Sequence, residues 1–293
     1  RTPRPVSVSC SCLRSTVSRY HYWHRVRRRA TEPQPTALDL LHVTTIQVAS
    51  DTYKMALLNV GTVIGGWLVI STVGSLYLKS TISATSMVGM LLGNPVAMAL
   101  LFFNYLNIFI ALCEIALGRH AELIKKDYLA LKEQFKGKEW DGCLAFLLMP
   151  LSVGQIFDMK TWSKMWTTYA LYDPSYQNTE AFGFFIDVGN GWSTIPPSVL
   201  LNYAIIYGPS GSAGDAITPL LVGCVSIASL WQITYGTIIY FLSFIWNRRY
   251  QGFRAGEIWT FVGISNSCWI IFPAVGIWAC VQLLRDGTFD VFA

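Results

Sequence analysis

Charge is what this sequence has least of. Only 13% of its 293 residues are Asp, Glu, Lys or Arg, against 53% hydrophobic and 14% aromatic, and the mean hydropathy is +0.40. Soluble domains carry about twice that share of charge, so composition excludes an ordinary water-soluble globule and points to a membrane bundle. Histidine is nearly as scarce. His21, His24, His42 and His120 all fall outside the long apolar stretches or at their rim. The chain contains no H-E-x-x-H, C-x-x-C, Gly-rich phosphate loop or G-x-S-x-G. It therefore offers no signature of a metal centre, a nucleotide cofactor or a serine hydrolase, and no cofactor is expected. The seven cysteines make no framework either. Cys10 and Cys12 form one C-x-C, while Cys113, Cys143, Cys224, Cys268 and Cys280 are scattered. An odd, dispersed count reads as small buried hydrophobes rather than disulfides. No internal repeat is visible, and nothing suggests a nucleic-acid partner.

Five apolar stretches, 55–78, 95–117, 181–207, 217–245 and 257–284, are long enough to cross a bilayer, the later ones with room for tilt. Asn94 before Pro95 reads as an N-cap and first helical position. The fold class expected is all-α, a polytopic bundle of about five transmembrane helices. A sixth span over Cys143–Phe157 is not expected, because Pro150 and Gly154 suggest a surface-lying or re-entrant piece. With five spans, Lys and Arg divide 20 to 2, only Lys79 and Arg285 falling on the minority side. The positive-inside rule then places the amino terminus on the cytosolic or equivalent face.

Residues 1–50 form a basic, targeting-like segment, and 51–293 form the bundle. Residues 1–30 hold eight Arg and no acid, the composition of an organellar targeting segment, which favours a chloroplast or mitochondrial membrane with the endoplasmic reticulum as alternative. A retained arm docking on anionic lipid or an acidic partner is the functional reading, and a solvated arm is the plain one. Between spans two and three lies an extramembrane insertion, 118–178. Its Leu123, Leu129, Leu131 and Phe135 alternate with lysines, as in a helix lying at the membrane surface or in a solvated connector.

Within the apolar stretches, polar residues recur at helical spacing. Asn104, Asn107 and Glu114 form one stripe, and Glu180, Asp187, Asn190 and Thr194 another. Each set stays within roughly an 80° arc of its helix. A carboxylate inside a bilayer is costly and normally faces a cavity or a partner, so the stripes predict a polar-lined interior.

Several motifs resemble those of the emopamil-binding, or EXPERA-domain, family, which includes the sterol Δ8-Δ7 isomerase and the sigma-2 receptor. Trp166-x-x-Tyr169-Ala170-x-x-Asp173-x-x-Tyr176 is similar to the segment before the family's third helix. Tyr235-Gly236-x-x-x-Tyr240-Phe241 resembles its fourth helix, and Asn266-x-x-Trp269 with Pro273 its fifth. The pieces occur in family order from about residue 95 to 284, leaving the amino-terminal arm and the insertion unmatched. The resemblance implies a pocket where carboxylates and a histidine move protons while a sterol passes through a carbocation. Asn266 and Trp269 would be the cation-facing amide and indole. Glu114 would be the second-span glutamate, Asp187 would replace a glutamate, and Asn190 a threonine. The family's histidine position is Ile110, which cannot move a proton, and Asp187 is one methylene short.

The catalytic candidates are Asp187 and Glu114, and the expected ligand-binding set is Asn107, Asp187, Asn190, Tyr235, Asn266 and Trp269. Each has a plainer role available: Asn190 and Asn266 in helix–helix bonding, Trp269 in packing, Glu114 reaching the interface beside Arg119. The missing histidine favours a divergent, non-catalytic EXPERA-type protein whose cavity holds a sterol or other lipid. The alternatives are an accessory subunit of a large photosynthetic or respiratory membrane complex, docked through the arm and insertion, and a sterol Δ8-Δ7 isomerase-like enzyme.

Overall fold

The computed structural model describes residues 58–84, 86–179 and 181–293. The basic arm and Glu180 lie outside the described residues. Of the chain's two units, Arg1–Lys54 and Met55–Ala293, the second is an all-α bundle. Its helices are α1 (Val60–Ile82), α2 (Met87–Gly93), α3 (Pro95–Arg119), α4 (Ala121–Gln134), α5 (Glu139–Leu147), α6 (Val153–Ile156) and α7 (Met159–Tyr169). They continue as α8 (Phe182–Ser193), α9 (Ile195–Tyr207), α10 (Pro219–Trp246), α11 (Ala255–Ile258) and α12 (Ser265–Asp286). Among the described residues, four helices are long and apolar enough to cross a membrane: α1, α3, α10 and the continuous Ala255–Asp286 rod containing α11 and α12. The chain is thus built as a multi-pass membrane protein.

Local chemistry sets the helix starts. Asn94 Oδ1 accepts the Ala97 N–H at 2.7 Å with Pro95 at the first helical position, the arrangement its sequence predicts. Thr218 caps α10 the same way, accepting from Leu221 N–H at 3.1 Å ahead of Pro219.

The stretch 181–207, expected as one helix, is two. Pro196 and Pro197 have no amide hydrogen to return to the preceding turn, so α8 ends at Ser193 and α9 begins at Ile195. The break leaves α8 and α9 free to lie on different parts of α3.

Helix α3 is the centre, packing against α1, α7, α8, α9 and α12. Its first half joins a cluster with Leu201, Ile205, Leu230 and Leu283, and its second half joins another with Trp166, Tyr172, Tyr240 and Val262. Polar side chains bond across these contacts. Asn104 Nδ2 donates to Asn202 Oδ1 at 2.8 Å, and Asn107 Nδ2 to Thr194 Oγ1 at 3.1 Å and Ser198 Oγ at 3.2 Å.

The insertion folds onto the bundle. In α4 the inward residues are Ile124 and Tyr128, one turn apart, while Leu129, expected on the greasy side, is 61% exposed. Cys143–Phe157 does not span: α5 is nine residues and α6 four, too short for a bilayer. Between them a strap is tied to the start of α1, Val60 N–H donating to Met149 O at 3.1 Å and Leu151 N–H to Leu58 O at 3.0 Å. Leu147, Leu148, Val153 and Phe157, the last 83% exposed, form an apolar surface around this strap.

Candidate functional site

Five segments converge on one cavity of about 210 Å³ in the second half of α3. Helix α3 contributes Ile110 and Glu114, four residues apart and hence on one face. From α8 come Asp187 and Asn190. The two helices touch closely because of Gly191, where an added Cβ would lie 2.9 Å from Ala111 O, Glu114 Cβ and Ile115 N. Helix α10 supplies Gly236, Thr237 and Tyr240, with Gly236 receiving Ile186, whose Cγ2 would be 2.8 Å from a Cβ there.

The segment before α8 builds the aromatic wall. Trp166 and Tyr169, three residues apart on α7, and Tyr176 on a 3-10 turn (Pro174–Gln177) all line the cavity. Trp166 Nε1 donates to Cys113 O at 2.6 Å, and its ring stacks on Tyr176 with centroids 5.0 Å apart. Tyr169 meets Tyr176 edge-on at 5.1 Å. Behind this wall sits Asp173. It is fully buried, its Oδ1 accepting from Ser175 N–H at 3.0 Å and its Oδ2 from Arg249 Nη1 at 3.0 Å. Arg249 also donates to Ser243 Oγ at 3.0 Å, so the 3-10 turn is pinned to the end of α10. Burial pushes the Tyr169 and Tyr176 phenols above their ordinary range, and for Tyr176 the Asp187 charge adds to it. Both therefore stay protonated and able to donate.

Helix α12 closes the roof with Ser265, Asn266 and Trp269. These three follow a π-helical turn, Trp259–Ile264, whose wider winding leaves carbonyls out of register. Side chains take them up: Ser265 Oγ donates to Phe261 O, and Asn266 Nδ2 donates to Val262 O at 2.9 Å. Asn266 Nδ2 also lies 2.8 Å from the Tyr169 hydroxyl, which in turn meets the Tyr240 hydroxyl at 2.8 Å. An amide, two phenols and three helices form one chain of hydrogen bonds along the cavity.

Two acids face this interior. Glu114 and Asp187 act on one another electrostatically, and so do Asp187 and Tyr176. Among the described residues, none of those lining the cavity is basic. Glu114 is buried rather than reaching the rim beside Arg119, whose guanidinium points at Met159 Sδ, 3.7 Å away. The arrangement can hold a polar or cationic group against two carboxylates and the faces of Trp166 and Trp269.

The structure therefore brings Glu114, Asp187, Asn190, Asn266, Trp269, Trp166, Tyr169 and Tyr176 to one place. Three sequence-derived candidates lie elsewhere. Asn107, roughly 10 Å along α3 from Glu114, is spent on Thr194 and Ser198 at the α8–α9 break. Tyr235 is 49% exposed on the outer face of α10 beside Trp231. Asp173 pairs with Arg249 behind the wall. Sequence reasoning passed over Thr237, Met165 and Ser265, and named Tyr235 where Gly236 and Tyr240 do the lining. The available signal was spacing: Gly236 and Tyr240 are one turn apart, whereas Tyr235 points about 100° away from Gly236. Comparison of the chain with protein-family models, with curated proteins and with solved structures finds no match.

Proposed function

We propose that this chain is a membrane protein of divergent EXPERA type whose cavity binds the polar end of a sterol or similar lipid without transforming it. What supports the reading is the convergence of Glu114, Asp187, Asn266 and Trp269, from three separate helices, on one cavity. Those are the positions at which the resemblance puts the family's carboxylates, amide and indole. Two carboxylates facing a largely apolar interior are costly unless a ligand, a proton or fixed dipoles answer them, and among the described residues no lining cation does so. Trp166 and Trp269 give a cationic or partly positive head an aromatic face.

Proton-shuttling chemistry lacks one component. Ile110 lines the cavity one turn before Glu114, where the family's histidine would stand, and a hydrocarbon cannot relay a proton. Binding without turnover follows.

The test is lipid mass spectrometry and a native gel on one mild-detergent preparation, with a Δ8 sterol assay alongside. A sterol or lipid is expected to co-purify with the wild type, to be depleted in Trp269→Ala and Asp187→Leu, and to survive the assay unisomerised. Conversion of the sterol, abolished by Asp187→Asn, would establish the enzyme instead. Absence of bound lipid, with migration only in a large complex, would establish the accessory subunit.

A further inference from the structure

The cavity has one side that does not close. Resting on the lipid-binding reading above, we infer that this side is a lateral portal: the lipid enters from the bilayer between α3 and α12, past Ile110, Met165 and Ser265, and its apolar tail remains in that gap.

Size is the first reason. A cavity of about 210 Å³ is below the roughly 300–1,000 Å³ of pockets that enclose a drug-sized ligand, so a sterol cannot fit inside entire. Whatever binds must protrude.

The packing of α12 shows where. On one flank α12 lies against α10, with Leu230 and Leu284 interlocked across Gly276 and Gly223. On the other flank it meets α3 through Phe103, whose ring stacks on Phe272 at 5.5 Å and meets Trp269 edge-on at 6.4 Å, and through Leu100 at Gly276. The two helices run antiparallel through these contacts. Ile110 is seven residues beyond Phe103 on α3, and Ser265 seven residues before Phe272 on α12. Both therefore stand roughly 10 Å further along, at one level. There the two helices line the cavity.

Exposure marks the threshold. Among the described residues, every other lining residue is buried or half-buried, but Ser265 is exposed. Its neighbour Ile264 is 63% exposed and Trp259 also faces outward, both on a rod apolar enough to span the membrane. The opening thus faces acyl chains. Ser265 is small and its hydroxyl is satisfied by Phe261 O, so it leaves the way clear without an unmet polar group. Met165, unbranched and flexible, is the yielding side of the frame.

The experiment follows energy transfer from the protein's tryptophans to dehydroergosterol, a fluorescent sterol, in phosphatidylcholine nanodiscs. Ser265→Trp is expected to slow association and dissociation together by at least tenfold, and Met165→Ala to quicken both. Leu242→Trp, an equally bulky change on the exposed face of α10, should leave both rates as they are. Unchanged rates in Ser265→Trp and Met165→Ala, or a faster dissociation alone, would overturn the portal while leaving lipid binding intact. No transfer in the wild type would overturn the lipid reading and the portal with it. Should Ser265→Trp fail to fold, the direction of change in Met165→Ala decides.

Discussion

Asn266 and Tyr169, 97 residues apart in sequence, meet with amide nitrogen and phenol oxygen 2.8 Å apart. One follows a π turn in a membrane-spanning rod, and the other ends a short helix of the insertion. The contact makes the insertion part of the site, so the cavity depends on joints remote from it.

The first such joint is Arg249 with Asp173. Arg249→Met would strand a carboxylate that is fully buried, a change that costs on the order of 3–5 kcal/mol when one partner of a buried pair is lost. Thermal unfolding in detergent should show a large loss for Arg249→Met and substantial recovery in Arg249→Met with Asp173→Asn. If the single and double variants melt alike, the pair does not hold the turn.

Helix approach at Gly191 is the second. A methyl there meets two backbone atoms, Ala111 O and Ile115 N, which cannot swing aside. Gly191→Ala should destabilise by about 1–3 kcal/mol and weaken lipid retention, as overpacking does. Gly189→Ala, on the same helix with open space around it, is the control and should melt like the wild type.

For the pair Asn104 and Asn202, replacing one with Leu leaves the other amide unanswered in an apolar contact. Each single variant should lose roughly 1 kcal/mol, and the double Leu variant should regain most of it. A double-mutant cycle measures the coupling, and additive losses would show the bond to be idle.

Cys143 gives a chemical readout of the α5 packing. Burial pushes its thiol up to about 12, with the Glu257 and Glu139 charges adding to the effect. The reactive thiolate is therefore absent near neutrality and emerges only as pH rises toward that value. Cys143 should resist a maleimide at pH 7 in the folded protein and react once detergent unfolds it, as peptide mass spectrometry would report.

The strap between α5 and α6 should sit at the lipid boundary. Leu147 O would be 3.4 Å from a Cβ at Gly61, already inside the first span, and Phe157, at the end of α6, is exposed. Benzoylphenylalanine at position 157 should cross-link lipid in nanodiscs, and at position 133 it should not. A protein adduct at 157 would instead mark a docking face.

Much of the bundle was readable from residues alone, because a bilayer imposes length and apolarity on every span. The cap at Asn94 is local chemistry, settled within three residues. The stripe of Asp187 and Asn190 followed from helical geometry, as did Glu114. Other parts were not readable. Whether Asn107 would face ligand or Thr194 depended on where α8 stops, and the double proline that stops it was hidden in a continuous hydropathic run. Helical spacing separates Tyr235 from the face shared by Gly236 and Tyr240, but the packing of α10 against α8 and α12 decided which of the two faces turns inward.

Sequence by itself therefore determined that the chain is a helical membrane protein carrying acids and amides on defined helix faces, since hydropathy and the 3.6-residue repeat act within each segment. Tertiary structure alone decided which of those faces meet, how Ser265 leaves the chamber open and how Asn266 is turned into it. These are contacts between residues distant in the chain, and they depend on close approaches at single glycines and on one π turn that no local pattern encodes.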